Sequence, residues 1–190
     1  VRLTDTGTVA ATVLSGIGGT TGGTVTVTGA MTITGSTEEI TNALVTEASK
    51  VVATASANVT FDGDNPTGAQ LASINDAAGG TITLNANGQT FTGTAAQMKS
   101  AFAGGLAGTQ TGAVKISDTT GTITATTLTD ITAQTDGTVT AAAGGITIEG
   151  TTEEVTAAIV TGGTKAVMEN GAVRLTDTGT VAATVLSGIG

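Results

Sequence analysis

Two pairs of adjacent glutamates, at 38–39 and at 153–154, come closer to an acid–base pair than any other residues in this sequence. The chain contains no histidine, cysteine or tyrosine, so the commonest general bases and thiol nucleophiles are missing. At the matching place in the middle of the chain stand Ala96 and Gln97, which cannot carry the same chemistry. We therefore predict that the protein has no catalytic residues and is not an enzyme.

The same glutamates fit better into helix caps. In a capping box, a serine or threonine hydroxyl accepts the backbone N–H three residues on, and a glutamate or glutamine there reaches back to the first N–H. Three such pairs occur, each directly after a glycine: Ser36 with Glu39, Thr94 with Gln97, and Thr151 with Glu154. Apolar residues follow each pair at helical spacing. We predict three short helices, which tertiary packing must hold because they are too short to be stable alone.

Aspartates offer a second kind of chemistry, the binding of calcium. Calcium needs roughly six to eight oxygen ligands, and the run DGDN, which contains Asp62 and Asp64, is the local cluster that begins to supply them. These two are the candidate ligands, and no other metal or cofactor is expected. Asp5, Asp118 and Asp177 follow apolar strand centres in the same register. For all five, turn capping is favoured over metal binding, because aspartates readily bond the backbone of their own turn.

Alternating threonines offer a third possibility, a flat binding face. A period of two places threonines on one face of a strand and aliphatic side chains on the other. Regular rows of this kind resemble those of ice-binding proteins. The candidate row consists of Thr24, Thr26, Thr81, Thr83, Thr138 and Thr140. Threonine as an ordinary strand residue is the favoured interpretation, because intervening stretches carry unlike residues such as Val51.

The chain also contains a long exact repeat. Residues 1–18 reappear letter for letter as residues 173–190, which lie 172 positions later. We expect the sequence to be a window from a longer tandem array, in which 173–190 begins the next 172-residue repeat. An array with equivalent ends can extend by adding copies.

A shorter period lies inside the long one. The stretches 1–57, 58–112 and 113–172 follow one plan, and aliphatic and aromatic residues replace one another at matching positions. Such exchange is typical of core positions. The predicted core residues are Leu3, Ile33 and Leu44 in the first stretch, Phe61, Phe91 and Phe102 in the second, and Ile116, Ile148 and Ile159 in the third.

The spacing of these centres predicts the fold. Apolar strand centres recur every 25 to 32 residues, and each is followed by a short helical signal. This pattern predicts a β-rich parallel β-solenoid with short capped helices, or α/β solenoid, with about six coils in each 172-residue repeat. One proline and no linker-like stretch indicate a single continuous domain over residues 1–190.

Charge and composition exclude several partners. The net charge is −9, with only six lysines and arginines, which disfavours binding to nucleic acid or to anionic lipid. No run of 18 apolar residues occurs, so no membrane span is predicted. The absence of cysteine removes both disulfides and thiolate zinc sites.

The succession of LTDTGTV, LxxI, TTGTVTV and TITGSTEEI resembles the Thr/Gly/Ala-rich tandem repeats of very long bacterial cell-surface and secreted proteins, including the giant repeat proteins of cyanobacteria. The resemblance covers the whole chain and consists of periodicity and composition. It implies export to the cell surface and a role in filaments, sheath layers, adhesion or surface motility. It transfers no catalytic or binding residues.

We therefore expect a non-enzymatic structural repeat segment of a long extracellular filament or surface fibre. Its expected partner is another repeat or copy of itself, joined end to end, so that residue 190 lies against the residues that continue the repeat from residue 19. Lateral bundling of the fibres is also expected. The alternative is an adhesin or stalk that binds polysaccharide or ice. Sugar-binding surfaces usually present aromatic side chains, and the three phenylalanines are expected to be buried, which favours the filament.

Overall fold

The structure, a computed structural model, describes residues 1–53, 57–141, 144–161 and 165–189. The chain forms two compact units, one comprising Val1–Asn87 with Ser100–Gly108 and the other Gly88–Lys99 with Thr109–Gly190. Each unit combines parallel sheets with helices, so the predicted α/β character and parallel strand pairing are confirmed. The single continuous domain and the division at 57 and 112 stay predictions.

Seven strands and three α-helices are described in the first unit. The strands are β1 (Arg2–Leu3), β2 (Thr8–Ala10), β3 (Val25–Val27), β4 (Thr32–Gly35), β5 (Val51–Ala53), β6 (Ala57–Phe61) and β7 (Gly79–Thr83). The helices are α1 (Ala11–Thr20), α2 (Thr37–Leu44) and α3 (Gly68–Ala78), with a 3-10 turn at Glu47–Ser49.

These strands form two separate parallel sheets. One has the order β1-β3-β5 and the other β2-β4-β6-β7. Leu3 pairs with Val27 in the first sheet, and Ile33 lies between Val9 and Val59 in the second. Parallel neighbours require a crossover connection, which a helix commonly supplies. We call one or two strands with the helix that follows them a step, and successive steps supply neighbouring strands.

The second unit repeats this plan. Its strands are β8 (Phe91–Gly93), β9 (Val114–Ile116), β10 (Thr120–Thr124), β11 (Val139–Ala141), β12 (Gly145–Gly150), β13 (Ala166–Met168) and β14 (Ala172–Leu175). They form parallel sheets in the orders β8-β9-β11-β13 and β10-β12-β14. The helices are α4 (Ala95–Phe102), which begins in this unit, α5 (Ala125–Thr132), α6 (Thr152–Val155), which continues as a π-helical turn at Thr156–Val160, and α7 (Ala183–Ile189).

The core of each unit is mainly aliphatic. Strand residues alternate between buried valine or isoleucine and more exposed threonine, as in β3 and β4. Of the predicted core residues, Ile33, Phe91 and Ile148 are fully buried, and Leu3 and Ile159 are half-buried. The remaining four are also buried: Leu44, Phe61, Phe102 and Ile116.

Helices α1 and α3 are longer than the sequence pattern indicates. The pattern in these steps is only a weak LxxI signal, yet the helices contain 10 and 11 residues. Helix α3 begins at a capping box of Thr67 and Gln70 that sequence analysis missed. Helix α1 has no side-chain cap. It is held by packing instead, since Leu14 is fully buried and the helix contacts α2.

Within the described residues, no helix combines the length and the apolar character that crossing a membrane would require.

Candidate functional site: strand edges and capping aspartates

The six predicted capping residues make the hydrogen bonds of three capping boxes. At the start of α2, the Ser36 hydroxyl accepts the Glu39 N–H at 3.3 Å, and the Glu39 carboxylate accepts the Ser36 N–H at 2.9 Å. The same two bonds join Thr94 with Gln97 and Thr151 with Glu154. One glutamate of each predicted acid pair is therefore engaged in capping the start of a helix.

A second set of caps joins different steps. Asp118 follows β9, and its carboxylate accepts the Ala95 N–H at 2.6 Å, at the start of α4. Asp177 follows β14, and its carboxylate accepts both the N–H and the hydroxyl of Thr152, at 2.7 and 2.6 Å, at the start of α6. We call Asp118 and Asp177 the capping aspartates. Each satisfies an otherwise unpaired helix N–H and places negative charge at the positive helix end.

The capping aspartates lie where strand pairing brings two steps together. Strand β9 pairs with β8, which precedes α4, and β14 pairs with β12, which precedes α6. An added strand thus carries its aspartate to the helix of the step on which it docks. The sequence predicts that Asp118 and Asp177 cap their own turns, but their hydrogen-bond partners lie 23 and 25 residues away. The recurrence of aspartate after strand centres was the only signal of this role.

Hydrogen bonds lower the pKa of the Asp177 carboxyl below its usual value of 3.8. The largest cause is the Thr152 hydroxyl and the next is the Thr152 N–H, because both donate to the charged form. Glu153 also lines the shallow cleft beside Asp177 and Thr152. The bonds from Thr152 outweigh the opposing effect of burial, so the carboxylate form is favoured at this edge.

The calcium candidates Asp62 and Asp64 lie in an exposed turn after β6. The Thr37 hydroxyl, on α2, donates to the backbone carbonyl of Asp64. The neighbouring Asn65 side chain binds the turn at Asn85 and Ala86, with both distances 2.8 Å. These contacts make the run DGDN a structural turn beside α2. Over the described ranges, no cluster of three or more His, Cys, Asp or Glu residues is arranged to hold a metal ion.

Three acidic residues of the second unit border a cleft of about 270 Å³ between α5 and α6. It is lined by Thr126, Thr129, Asp130, Glu153, Glu154 and Ala157. Glu154 already caps α6, and Asp130 forms an ion pair with Lys99 at 2.9 Å. Two of its three carboxylates are therefore engaged in structural contacts.

The six threonines proposed as an ice-binding row do not form one row. Thr26 lies in the β1-β3-β5 sheet between Arg2 and Val52, whereas Thr83 lies in the other sheet of that unit beside Thr60. In the second unit, Thr140 lies between lysine and valine of the adjacent strands. Residues with equivalent sequence positions therefore have unlike neighbours, because GTVT and GTIT segments enter different sheets.

The duplicated segment is seen with two different neighbours. In the first copy, β1 pairs with β3 of the following step. In the second copy, β14 pairs with β12 of the preceding step. Leu14 is fully buried, whereas the same residue in the second copy, Leu186, is 45% exposed. Identical sequences thus pair through opposite edges, and β1 and β14 are both edge strands of their sheets.

No protein-family model, curated protein or solved structure matches this chain. The functional conclusion therefore rests on the duplicated segment, the strand pairing and the capping aspartates.

Proposed function

We propose that this chain is a non-enzymatic structural repeat segment of a long extracellular filament or surface fibre. In this proposal the steps stack along one axis as an α/β solenoid, and each 172-residue repeat continues into the next. The proposed role of the repeats is to supply length and stiffness. Location outside the cell is part of the proposal and rests on the resemblance to repeats of bacterial surface proteins.

The observation that carries the proposal is the opposite pairing of the two identical segments. Residues 1–3 pair with a strand that follows them in the sequence, and residues 173–175 pair with a strand that precedes them. Nothing in the segment's sequence distinguishes the copies, so one copy in the middle of an array can make both sets of contacts. Such a segment is a joint between repeats, and it imposes no limit on their number.

Close backbone approach between steps also supports stacking. A Cβ at Gly18 would lie 1.6 Å from the Ser49 carbonyl oxygen, and a Cβ at Gly112 would lie 1.6 Å from that of Gln89. Glycine is required at both positions because any side chain would collide with backbone of another step. Steps this close together leave little room for bulky residues, in agreement with the aromatic content of 2%.

The test is the length of chains that contain one, two and three 172-residue repeats. Parallel strands lie about 4.8 Å apart, so six stacked steps should add roughly 29 Å per repeat to the maximum dimension. Small-angle X-ray scattering measures this dimension in solution. Linear growth with constant cross-section supports the filament. Growth of the radius of gyration with the compact-protein exponent of about 0.38 would contradict it.

A further inference from the structure

The segment 173–189 shows how a copy of residues 1–18 docks on a preceding step. Strand β14 pairs with β12 in parallel, with Val173 opposite Ile148 and Leu175 opposite Gly150. The backbone N–H of Thr176 continues the ladder by donating to the Gly150 carbonyl at 2.9 Å.

Side chains add three further contacts to this docking. Arg174 forms an ion pair with Glu149, and Asp177 accepts two hydrogen bonds from Thr152. Helix α7 packs against the π-helical turn that follows α6. We call β12, the first residues of α6 and this π-helical turn the acceptor edge. The groups that make these contacts belong to the duplicated sequence, whereas Ala172, which pairs with Thr147 of the acceptor edge, lies just before it.

The first copy of the sequence presents the same groups, although the Arg2 guanidinium there also donates a hydrogen bond to the Thr28 hydroxyl at 3.2 Å. Strand β1 pairs with β3 on one side only and is an edge strand of its sheet. Arg2 and Asp5, the counterparts of Arg174 and Asp177, are both exposed. The segment can therefore contact an acceptor edge without giving up its pairing with β3.

We propose that residues 1–18 of a second copy of this chain bind the acceptor edge in place of residues 173–189, joining the copies head to tail. This inference rests on the proposed stacking of repeats, and it names the docking partner and the register. Val1 would lie opposite Ile148 and Leu3 opposite Gly150. Asp5 of the incoming copy would cap α6 at Thr152.

Two opposing effects decide which segment occupies the acceptor edge. Residues 173–189 belong to the same chain, which gives them an effective concentration of the order of millimolar. Residues 1–18 are already ordered, since β1, β2 and α1 pack on the next step and Leu14 is buried. Docking an ordered segment costs less conformational entropy. Residues 173–189 of the same chain therefore occupy the acceptor edge in dilute solution. Weakening their contacts should make binding of residues 1–18 from a second copy measurable.

Because the two segments are identical, the same substitutions can be made in either copy of the full chain. Arg174→Gln with Asp177→Asn removes the ion pair and the capping carboxylate of the covalent segment and leaves 1–18 intact. Arg2→Gln with Asp5→Asn is the matched control. Sedimentation velocity from micromolar to millimolar concentration measures association, and circular dichroism verifies that each variant is folded.

We expect the Arg174→Gln/Asp177→Asn chain to associate at a concentration roughly tenfold or more below that of the unchanged chain, because hydrogen bonds to charged groups are lost only from the covalent competitor. The matched control should not gain association, and a chain with all four substitutions should remain monomeric. Equal behaviour of the two double variants, or no association of the first while it is folded, would overturn the proposal.

A cysteine pair tests the register in the same background, since the natural chain has no cysteine. Glu149→Cys with Arg2→Cys should yield disulfide-linked chains on non-reducing gels. Glu149→Cys with Thr4→Cys, two residues out of register, should yield far fewer, because the Cα atoms would lie beyond about 7 Å. Association without this preference would also overturn the proposal.

The scattering experiment separates this inference from the filament proposal. Tandem chains that lengthen linearly, with variants that do not associate, would refute docking between chains and leave the covalent filament supported. Tandem chains that remain compact would refute the filament itself.

Discussion

Asp177 accepts two hydrogen bonds from Thr152, which lies 25 residues earlier in the chain. Asp118 makes the corresponding contact with Ala95. These bonds stabilise the start of one helix only when the next strand is docked, so a single residue couples strand addition to helix capping. The sequence shows aspartates in a regular column, but it cannot show that their partners lie in another step, because that depends on strand register.

We predict that docking of residues 173–189 weakens in acid through Asp177. The pKa of this carboxyl is lowered in the folded chain, so its contribution to stability is present above the ordinary pKa of 3.8 and is lost as the pH falls below it. The measurement is the thermal unfolding midpoint of the natural chain and of Asp177→Asn, at pH 5 and at pH 2.5. The natural chain should unfold at the higher temperature at pH 5, and this difference should shrink at pH 2.5.

The comparison with Asp177→Asn is needed because other carboxylates titrate in the same range. Glu153, beside Asp177, is unchanged in both chains, so its effect on the two midpoints is shared and largely cancels. A difference between the two midpoints that is independent of pH would contradict the assigned role.

Helices illustrate what local sequence can and cannot predict. The capping boxes at Ser36, Thr94 and Thr151 identify helix starts because their hydrogen bonds are local. Helix α1 lacks a cap and contains three glycines, so its local signal is weak. It forms because Leu14 is buried and because Gly18 allows close packing on another step. Tertiary contacts therefore supply what its own sequence does not.

Two glycines of α1 provide a matched pair of variants. Gly18→Ala should destabilise the chain by about 2 kcal/mol or more, because the new Cβ would collide with the Ser49 backbone. Gly16→Ala should stabilise it by about 0.5 to 1 kcal/mol, because this position is exposed, has nothing within 4 Å and gains helix propensity. Urea denaturation measures both. The same direction of change for the two variants would contradict the packing described for α1.

Strand positions are easier to predict than strand partners. The apolar centres at Ile33, Phe91 and Ile148 all lie within strands. Thr26 and Thr83 also lie in strands, but in two different sheets. Alternation identifies the buried face of a strand, yet it contains no information about which strand lies beside it. For this reason the alternation could not show that the candidate threonines are divided between sheets.

At the scale of the whole molecule, the sequence identifies the repeat, and the structure shows which edge of the duplicated strand pairs with a neighbour in each copy. The identity of residues 1–18 and 173–190 predicts an extendable array without coordinates. The opposite pairing of β1 and β14 could not be inferred, because it depends on which neighbour each copy has. Leu14 is buried and its counterpart Leu186 is exposed, because only the first copy has a following step packed against it.

We predict that a following step orders the second copy as it orders the first. Appending a copy of residues 19–53 after residue 190 should bury Leu186 and allow residues 180–182 to form a strand, as β2 does by pairing with β4. Hydrogen–deuterium exchange should then show protection of 180–189 close to that of 8–17. An appended sequence of the same composition in scrambled order is the control. Unchanged exchange in 180–189 would contradict the equivalence of the copies.

The most direct test of open-ended stacking is X-ray fibre diffraction from an oriented sample of chains with many repeats. Strands stacked along the filament give a reflection near 4.8 Å parallel to the fibre axis. The filament proposal predicts this reflection on the meridian. A reflection of the same spacing on the equator, or an unoriented ring from a sample whose alignment is verified by birefringence, would contradict it.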